Sequence, residues 1–518
     1  MKKILILIFI VLVGLGLRLY QLDTRPLGFT WDEAALGYNA YSLLKTGKDE
    51  YGKILPIVFK SFGDYKPGLY IYFSVPTIKI FGLNEFATRL PSAIIGTLTI
   101  IVIYLLTKNL SASFLFAINP WSIHFSRGAW EANVFVFLLV LGAHTFIKKK
   151  YLLTATFFGL TFWTYQGAKM FTPLLSILLL LIYRQELNLK KLIMPAILGL
   201  AILLPILLGF ASQSGRLKVF SVFSYTRSSE VVAKILKADN GHDILGFHSE
   251  IVDQVRGVTQ RYLNHLSPRY LFFTGDWSNL RQSIPYYGYF HLPEILTILI
   301  GLFIVLRTNN QLTKLLLGWL LLAIVPSALS RDIVSGVRSL PMVIPLVIIS
   351  GIGLSKLASS RILLLCYLVT LSLFVVYFCD LYFVHAPFFV AKDWLSAYKP
   401  AFVAMEPFKD KYNKIVITNV FGQPYIYTLF YYKIDPSTYQ VSAKLLENAN
   451  GDVGEVKTFE KYEFRRIYWP AERGGASTIF VGNESDLPAQ DMNPENLIKI
   501  KEVFYPDKTH ALRVVALQ

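Results

Sequence analysis

Chemistry concentrates in Phe29-Thr30-Trp31-Asp32-Glu33-Ala34-Ala35, just beyond the first hydrophobic run. Two adjacent carboxylates suit acid–base work. One takes a proton from an attacking hydroxyl; the other orients the acceptor or tunes the first by like-charge repulsion. The plainer reading is a helix start, with Asp32 as cap and both acids favoured by the helix dipole. A second pair, Asp49-Glu50, follows, and Gly63-Asp64-Tyr65-Lys66-Pro67 sets a cation at the start of the next apolar run. Lys66 can bind a phosphate oxygen as a point charge, or snorkel toward headgroups. Acids followed by a lysine at a bilayer surface suit chemistry on an anionic lipid, with Asp49, Glu50 and Asp64 as secondary or acceptor-side candidates.

Further basic residues flank apolar runs. Arg89 precedes Leu90-Pro91-Ser92, and Arg127 closes Asn119-Pro120-Trp121-Ser122-Ile123-His124-Phe125-Ser126. His124, Arg127 and Glu131 lie on one helical face if the helix continues through Gly128, since spacings of three and four are neighbours. Such a face near a membrane is a functional-site candidate; a structural Arg127–Glu131 pair is the alternative. Arg331, Asp332 and Arg338 form a third cluster, either a phosphate clamp or a solvated loop. His242, His248, His265 and His291 show no strong zinc spacing. Cys366 and Cys379 share one apolar segment and suggest neither a disulfide framework nor a zinc site. A carboxylate-held metal is compatible with the sequence, but nothing demands one, so no metal and no cofactor are expected.

These residues need elements to position them, and the composition says which. Of 518 residues 54% are hydrophobic and 16% charged, against about 25% charged in soluble domains. The mean hydropathy is +0.46. Apolar runs approach the length of about 20 residues needed to cross a bilayer. They lie at 4–19, 67–82, 91–107, 111–126, 132–147, 151–166, 168–183, 192–210, 291–306, 315–330, 339–355 and 362–384. The net charge of +17 falls largely in short loops, where Lys and Arg set orientation. No basic arm or RNA-binding signature accompanies it, so no nucleic-acid partner is expected.

Lys2 and Lys3 before an uncleaved apolar run read as a cytoplasmic signal-anchor start. Lys148–Lys150, Arg184 with Lys190 and Lys191, Arg307 with Lys314, and Lys356 with Arg361 are expected in the cytoplasm. Alternation then puts 20–66, 211–290, Arg331–Arg338 and the C-terminal region outside. Seven apolar runs between 20–66 and 211–290 break the parity, so one does not span. The run 67–82, with Pro67, Pro76 and Lys79, is the first choice, and the Asn119-Pro120 break the second. The expectation is a polytopic α-helical membrane protein of about 11 transmembrane helices over 1–386, with a small C-terminal α/β extracytoplasmic domain over 387–518. In the latter, Lys414–Thr418 and Thr478–Val481 read as strands, Pro424–Tyr432 as a helix, and Leu497–Phe504 with Ala511–Leu517 as a strand pair. Ser229–Ala238 reads as a short amphipathic helix. There is no glycine-rich phosphate loop in the C-terminal region.

Trp31-Asp32-Glu33-Ala34, Lys66-Pro67-Gly68-Leu69-Tyr70 and Phe81-Gly82-Leu83-Asn84-Glu85-Phe86-Ala87-Thr88-Arg89-Leu90-Pro91-Ser92 occur in that order. In order and spacing they resemble integral-membrane glycosyltransferases of the GT-C fold, nearest to glycosyltransferase family 39, the protein O-mannosyltransferase and aminoarabinose-transferase type. The similarity is good over 1–210, looser through the arginine-rich turn at 331–345, and fades in 211–290 and the C-terminal region. The resemblance implies a polyprenyl-phosphate-linked sugar donor, an acceptor (protein, lipid or glycan) approached from the outer face, and no metal. Asp32 matches the family's catalytic base with Glu33 beside it, and Lys66 its lysine near the donor phosphate. Arg89 and Arg127 match basic positions around the pocket, and Arg331 and Arg338 are further phosphate-binding candidates. Lys-Pro-Gly stands where many relatives have Lys-Pro-Pro. A single displacement at the sugar C1 inverts that centre, with cations stabilising the leaving phosphate. The competing classes are a transporter or flippase for lipid-linked glycans and a cell-surface assembly protein. A transporter more often shows inverted repeats and mid-helix ionisable residues; here the charges gather on the outer face.

Overall fold

The structure, a computed structural model, describes residues 1–209, 229–238, 246, 249–442, 445–446 and 454–518. His242 and His248 lie outside the described residues. The chain forms two compact units that interleave in sequence: 1–14, 98–124 and 135–378 in one, and 15–97, 125–134 and 379–518 in the other.

Among the described residues five helices are long and apolar enough to cross a membrane: Glu85–Thr107, Leu189–Leu208, Gln311–Ala328, Leu340–Leu357 and Arg361–Val390. Leu69–Phe81, Glu131–Ile147, Tyr151–Thr161 and Ala168–Ile182 are shorter apolar helices. The first of these has 13 residues, roughly 20 Å at 1.5 Å per residue, short of a hydrocarbon core of about 30 Å.

Within the first unit, small residues let helices approach closely. A Cβ on Gly301 would lie 1.9 Å from the Ile349 carbonyl oxygen, and one on Gly353 1.9 Å from that of Thr297. Where lipid removes the hydrophobic drive between helices, such backbone contact and buried hydroxyl pairs hold them together. Thr297 and Ser350 supply one such pair, Oγ1 to Oγ at 2.7 Å. The polar loops converge too. Glu186 accepts from Lys149 Nζ at 2.8 Å and from Gln311 Nε2 at 2.6 Å. The loops at 148–150, 184–191 and 307–314 therefore meet. The run 111–126 is two helices, Leu110–Ile118 and Pro120–Arg127. Pro120 lacks an N–H and cannot continue the ladder. Asn119 fills the break, donating to the Tyr289 carbonyl at 2.9 Å and accepting from the Ser122 N–H at 2.9 Å.

In the second unit, α1 (Trp31–Thr46) starts at a capping box. Thr30 Oγ1 accepts from the Glu33 N–H and Glu33 Oε2 from the Thr30 N–H. A hairpin follows, β1 (Val58–Ser61) against β2 (Asp64–Pro67), with Phe59 opposite Lys66. Its two turn residues, Phe62 and Gly63, have φ of +57° and +82°, the hand that matches strand twist in two-residue hairpins. The C-terminal segment builds a six-stranded sheet from β3 (Lys414–Ile417), β4 (Thr458–Phe459), β5 (Tyr462–Phe464), β6 (Thr478–Gly482), β7 (Leu497–Phe504) and β8 (His510–Leu517). The order is β4-β5-β3-β6-β8-β7, with β3 parallel to β5 and β6 and the other pairs antiparallel. The apolar run of β3 is buried between its neighbours, as parallel strands usually are. The helix Pro424–Tyr431 follows β3 and is buried along its length from Pro424 to Phe430.

Candidate active site

Asp32 sits in the first turn of α1, one residue beyond Trp31. Lys66 reaches it from β2. The ammonium contacts Asp32 Oδ1; the Asp32 side chain is 39% exposed and that of Lys66 12%. The hairpin register is what aims Lys66 at α1, since alternate residues of a strand face opposite sides. A carboxylate and a cation, 34 residues apart in sequence, thus meet at a partly open surface.

Glu33 is committed elsewhere. Its Oε1 accepts from Arg89 Nε at 2.8 Å and from the Ala129 N–H at 3.0 Å; its Oε2 accepts from Arg89 Nη2 at 3.0 Å and from the Thr30 N–H at 3.1 Å. Arg89 sends its other donors to the carbonyls of Leu22 and Pro26 at 3.2 Å each and of Gly28 at 2.6 Å. Five N–H groups meet five protein acceptors, the whole donor set of a guanidinium. Arg127 is also fully buried. Its Nη1 donates to Leu17 and its Nη2 to Tyr20, Gln21 and Arg25, all backbone carbonyls. Both arginines therefore pin the end of the first helix, Lys2–Leu19, and the irregular segment after it that leads into α1.

The expected face of His124, Arg127 and Glu131 does not form. The helix ends at Arg127 and the next begins at Glu131. The Ala129 N–H leaves the helical ladder for Glu33, and the Trp130 indole folds onto Gly128, where a Cβ would be 2.5 Å from its Nε1. His124, in the other unit, places Nε2 2.8 Å from the Arg281 carbonyl oxygen. Glu131 is half-buried.

Asp49 closes its own turn, Oδ1 accepting from the N–H groups of Tyr51 at 3.0 Å and Lys53 at 2.8 Å. Burial pushes its carboxyl above the usual range. Glu50 is fully buried, with Oε1 accepting from Asn39 Nδ2 at 3.3 Å and Ser61 Oγ at 3.4 Å. Burial, and then the Asp49 charge, push it up to about 8, against the pull of Asn39, Ser61 and Lys66. Asp64 is the β2 residue opposite Ser61.

Arg331 and Arg338 belong to the first unit. Arg331 is exposed, whereas Arg338 is half-buried and ion-paired with Asp332 through Nη1. The turn they flank is fixed from within: Asp276 Oδ2 accepts from the Gly336 N–H at 2.9 Å and Trp121 Nε1 donates to the Gly336 carbonyl at 3.1 Å. Among the described residues no group of three or more His, Cys, Asp or Glu could hold a metal. Sequence reasoning missed the residues that support the site from the C-terminal segment, Gly422, Gln423 and Tyr427. The loop-to-helix punctuation Gly422-Gln423-Pro424 was the available signal.

Residues 8–166 match the family model of dolichyl-phosphate-mannose-protein mannosyltransferases. No curated protein sequence matches the chain. Among solved structures the chain is similar to ArnT from Cupriavidus metallidurans bound to undecaprenyl phosphate. The TM-score is 0.54 at 12% identity, over 98% of this chain and 97% of that one. The apo form of ArnT gives 0.54 at 13% identity over the same shares. The archaeal oligosaccharyltransferase AglB from Archaeoglobus fulgidus gives 0.47 at 13% identity over 82% of this chain, and the match spans only 63% of AglB. The chain thus shares the GT-C fold of ArnT along its length, and its residues 8–166 are similar to the dolichyl-phosphate-mannose-protein mannosyltransferase family.

Proposed function

We propose that the protein transfers a sugar from a polyprenyl-phosphate-linked donor to an acceptor hydroxyl at the outer face of the membrane, with Asp32 as general base and Lys66 at the donor phosphate. The contact between Asp32 and Lys66 carries this reading. Carboxylate and cation stand together where Asp32 is partly exposed. Donor phosphate competes with Asp32 for the ammonium, and so frees the carboxylate to take the acceptor's proton. The acceptor oxygen bonds to the sugar C1, the C1–O bond to phosphate breaks, and its electron pair leaves on the phosphate beside Lys66. The anomeric centre inverts. Positioned charge of this kind acts most strongly where charge develops.

Glu33 serves by position rather than as a second base, because its oxygens are saturated. Arg89, with all its guanidinium donors on protein acceptors, and Arg127, with both terminal nitrogens on backbone carbonyls, hold the loop rather than the phosphate. Arg331 and Arg338 stay further donor candidates on the sequence reading alone. The undecaprenyl phosphate in the ArnT structure supports a polyprenyl carrier. About 11 crossings, a cytoplasmic N-terminus, an extracytoplasmic C-terminal region and a non-spanning 67–82 complete the reading. The meeting of the loops around Lys149, Glu186 and Gln311 supports the shared cytoplasmic side.

The test is sugar release from a panel of radiolabelled polyprenyl-phosphate sugars by wild type and Asp32→Asn, with a mixed acceptor pool and with or without chelator. Transfer by wild type alone, indifferent to chelator, is expected. Equal transfer by both proteins removes Asp32 as the base.

A further inference from the structure

The acid and lysine arms are each held by the same short helix of the C-terminal segment. On the acid arm, Tyr427 donates its hydroxyl to the Phe29 carbonyl at 2.7 Å, and the rings of Phe29 and Phe430 lie 4.8 Å apart. Trp31, the neighbour of Asp32, lies flush on Gly422. That glycine has a φ of +111°, and a Cβ there would sit 2.1 Å from the indole. Only glycine takes such a backbone without strain and leaves the ring its place. On the lysine arm, Tyr425 meets Phe62 at the hairpin tip edge to face, centroids 5.9 Å apart. Its hydroxyl is 3.3 Å from that of Tyr51. The Phe62 carbonyl accepts from the Gly454 N–H at 2.5 Å, and the Gly454 carbonyl accepts from Gln423 Nε2 at 3.0 Å.

We propose that the helix Pro424–Tyr431 and the turn leading into it are a positioning device that sets the Asp32 arm against the Lys66 arm, with Gly422 and Tyr427 as its positioning residues. Neither need touch substrate. Tyr427 acts through the Phe29 carbonyl and Gly422 through the indole of Trp31, the neighbour of Asp32, while Gln423 and Tyr425 steady the hairpin whose strand carries Lys66. The C-terminal segment is then part of the reaction machinery, and sub-ångström changes in it are felt at the acid–lysine pair, since misplacement by about 1 Å costs on the order of a hundredfold in rate. This inference rests on the reading of Asp32 and Lys66 given above, so its test carries one readout that needs no turnover.

The experiment compares full-length wild type, Gly422→Ala, Tyr427→Phe and Gly422→Ala with Trp31→Leu. Tyr432→Phe is the control, because its hydroxyl bonds the Phe402 carbonyl, away from both arms. Two quantities are read: transfer kinetics, and modification of Lys66 by an amine-reactive reagent located by mass spectrometry. Tyr427→Phe should lower kcat about tenfold with donor KM within about twofold, as loss of a positioning hydrogen bond does. Gly422→Ala should lower kcat by on the order of a hundredfold and raise Lys66 labelling severalfold. Making room with Trp31→Leu should recover part of both, since it relieves the contact with the indole but not the backbone strain at the φ of +111°, and the control should match wild type. If Gly422→Ala does not fold, Tyr427→Phe decides alone. Folded variants with wild-type labelling and wild-type kcat overturn the proposal. Wild type that transfers no sugar, combined with labelling that responds as described, overturns the function proposed above and leaves the positioning device standing.

Discussion

Arg89 and Glu33 satisfy each other almost completely: two guanidinium N–H groups go to the two carboxylate oxygens, at 2.8 and 3.0 Å. Each then spends what remains on backbone, Arg89 on the loop before α1 and Glu33 on Thr30 and Ala129. The pair divides the two adjacent acids by environment. Glu33 is 3% exposed and saturated, while Asp32 is partly open to the surface and paired with Lys66. The division matters because a buried pair broken on one side leaves an uncompensated charge, at about 3–5 kcal/mol.

Glu33→Gln and Arg89→Lys should therefore act first on stability. We expect a fall in Tm of several degrees for either in detergent, and loss of activity in proportion to folded protein. Lysine keeps the charge of Arg89 but cannot reproduce a fork that reaches five acceptors. Differential scanning fluorimetry checks this. A Glu33→Gln protein with unchanged Tm and no turnover would instead assign Glu33 to the chemistry.

Asp32→Asn and Lys66→Ala should separate along a different line. Asp32→Asn removes the base, so turnover should fall by about 10²–10⁴ while the affinity for polyprenyl phosphate holds or improves, because the ammonium loses its competitor. Lys66→Ala should weaken polyprenyl-phosphate binding more than Asp32→Asn does. Binding of a labelled polyprenyl phosphate to the purified proteins measures both. Equal affinity in wild type and Lys66→Ala would sink the phosphate role.

The contact between Asp32 and Lys66 joins two charges that the sequence singles out by local signals, Asp32 just beyond the first apolar run and Lys66 where the next begins. The C-terminal strands and the helix after β3 were legible for the same reason, from short-range apolar pattern and punctuation. The hairpin that carries Lys66 was not. Its turn, Phe62-Gly63, puts an aromatic at a positive φ, a choice local preference argues against. Tertiary contacts at Tyr425 and Gly454 compensate it. Arg89 misled for a related reason. A membrane-flanking arginine and a phosphate-binding one look alike in sequence, and only tertiary structure shows that its acceptors are Leu22, Pro26, Gly28 and Glu33. The His124–Arg127–Glu131 face failed because Gly128 permits a break that a hydrogen bond to a residue 96 positions away makes worthwhile.

Orientation is testable without any substrate. If 148–150, 184–191 and 307–314 share the cytoplasmic side, a single cysteine at Lys190 should resist an impermeant maleimide in intact cells. A tag after Gln518 should be reached from outside. Labelling of the C-terminal tag only after lysis overturns the assignment of the outer face.

Glu50 sets a pH dependence whose sign is fixed by its burial. Its Oε2 has no hydrogen-bond partner among the described residues, and with its carboxyl pushed from 4.5 to about 8 it is protonated in the folded protein at neutral pH. The unfolded chain gives up that proton at the ordinary carboxylate value. Between about 4.5 and about 8 the folded state holds the extra proton, so stability falls as pH rises through that window and levels off above it. The stabilising contribution is fully present below the unfolded value and lost as the pH passes the folded one. Glu50→Gln keeps the shape and the hydrogen bonds from Asn39 and Ser61 but has no proton to lose, so its Tm should be flatter over the same window and higher than that of wild type at pH 8. Because Ser61 lies in β1 of the hairpin that carries Lys66, wild-type turnover should also decline sooner on the alkaline side than that of Glu50→Gln. Parallel Tm profiles for the two proteins from pH 5 to pH 9 would show that Glu50 does not titrate in this window.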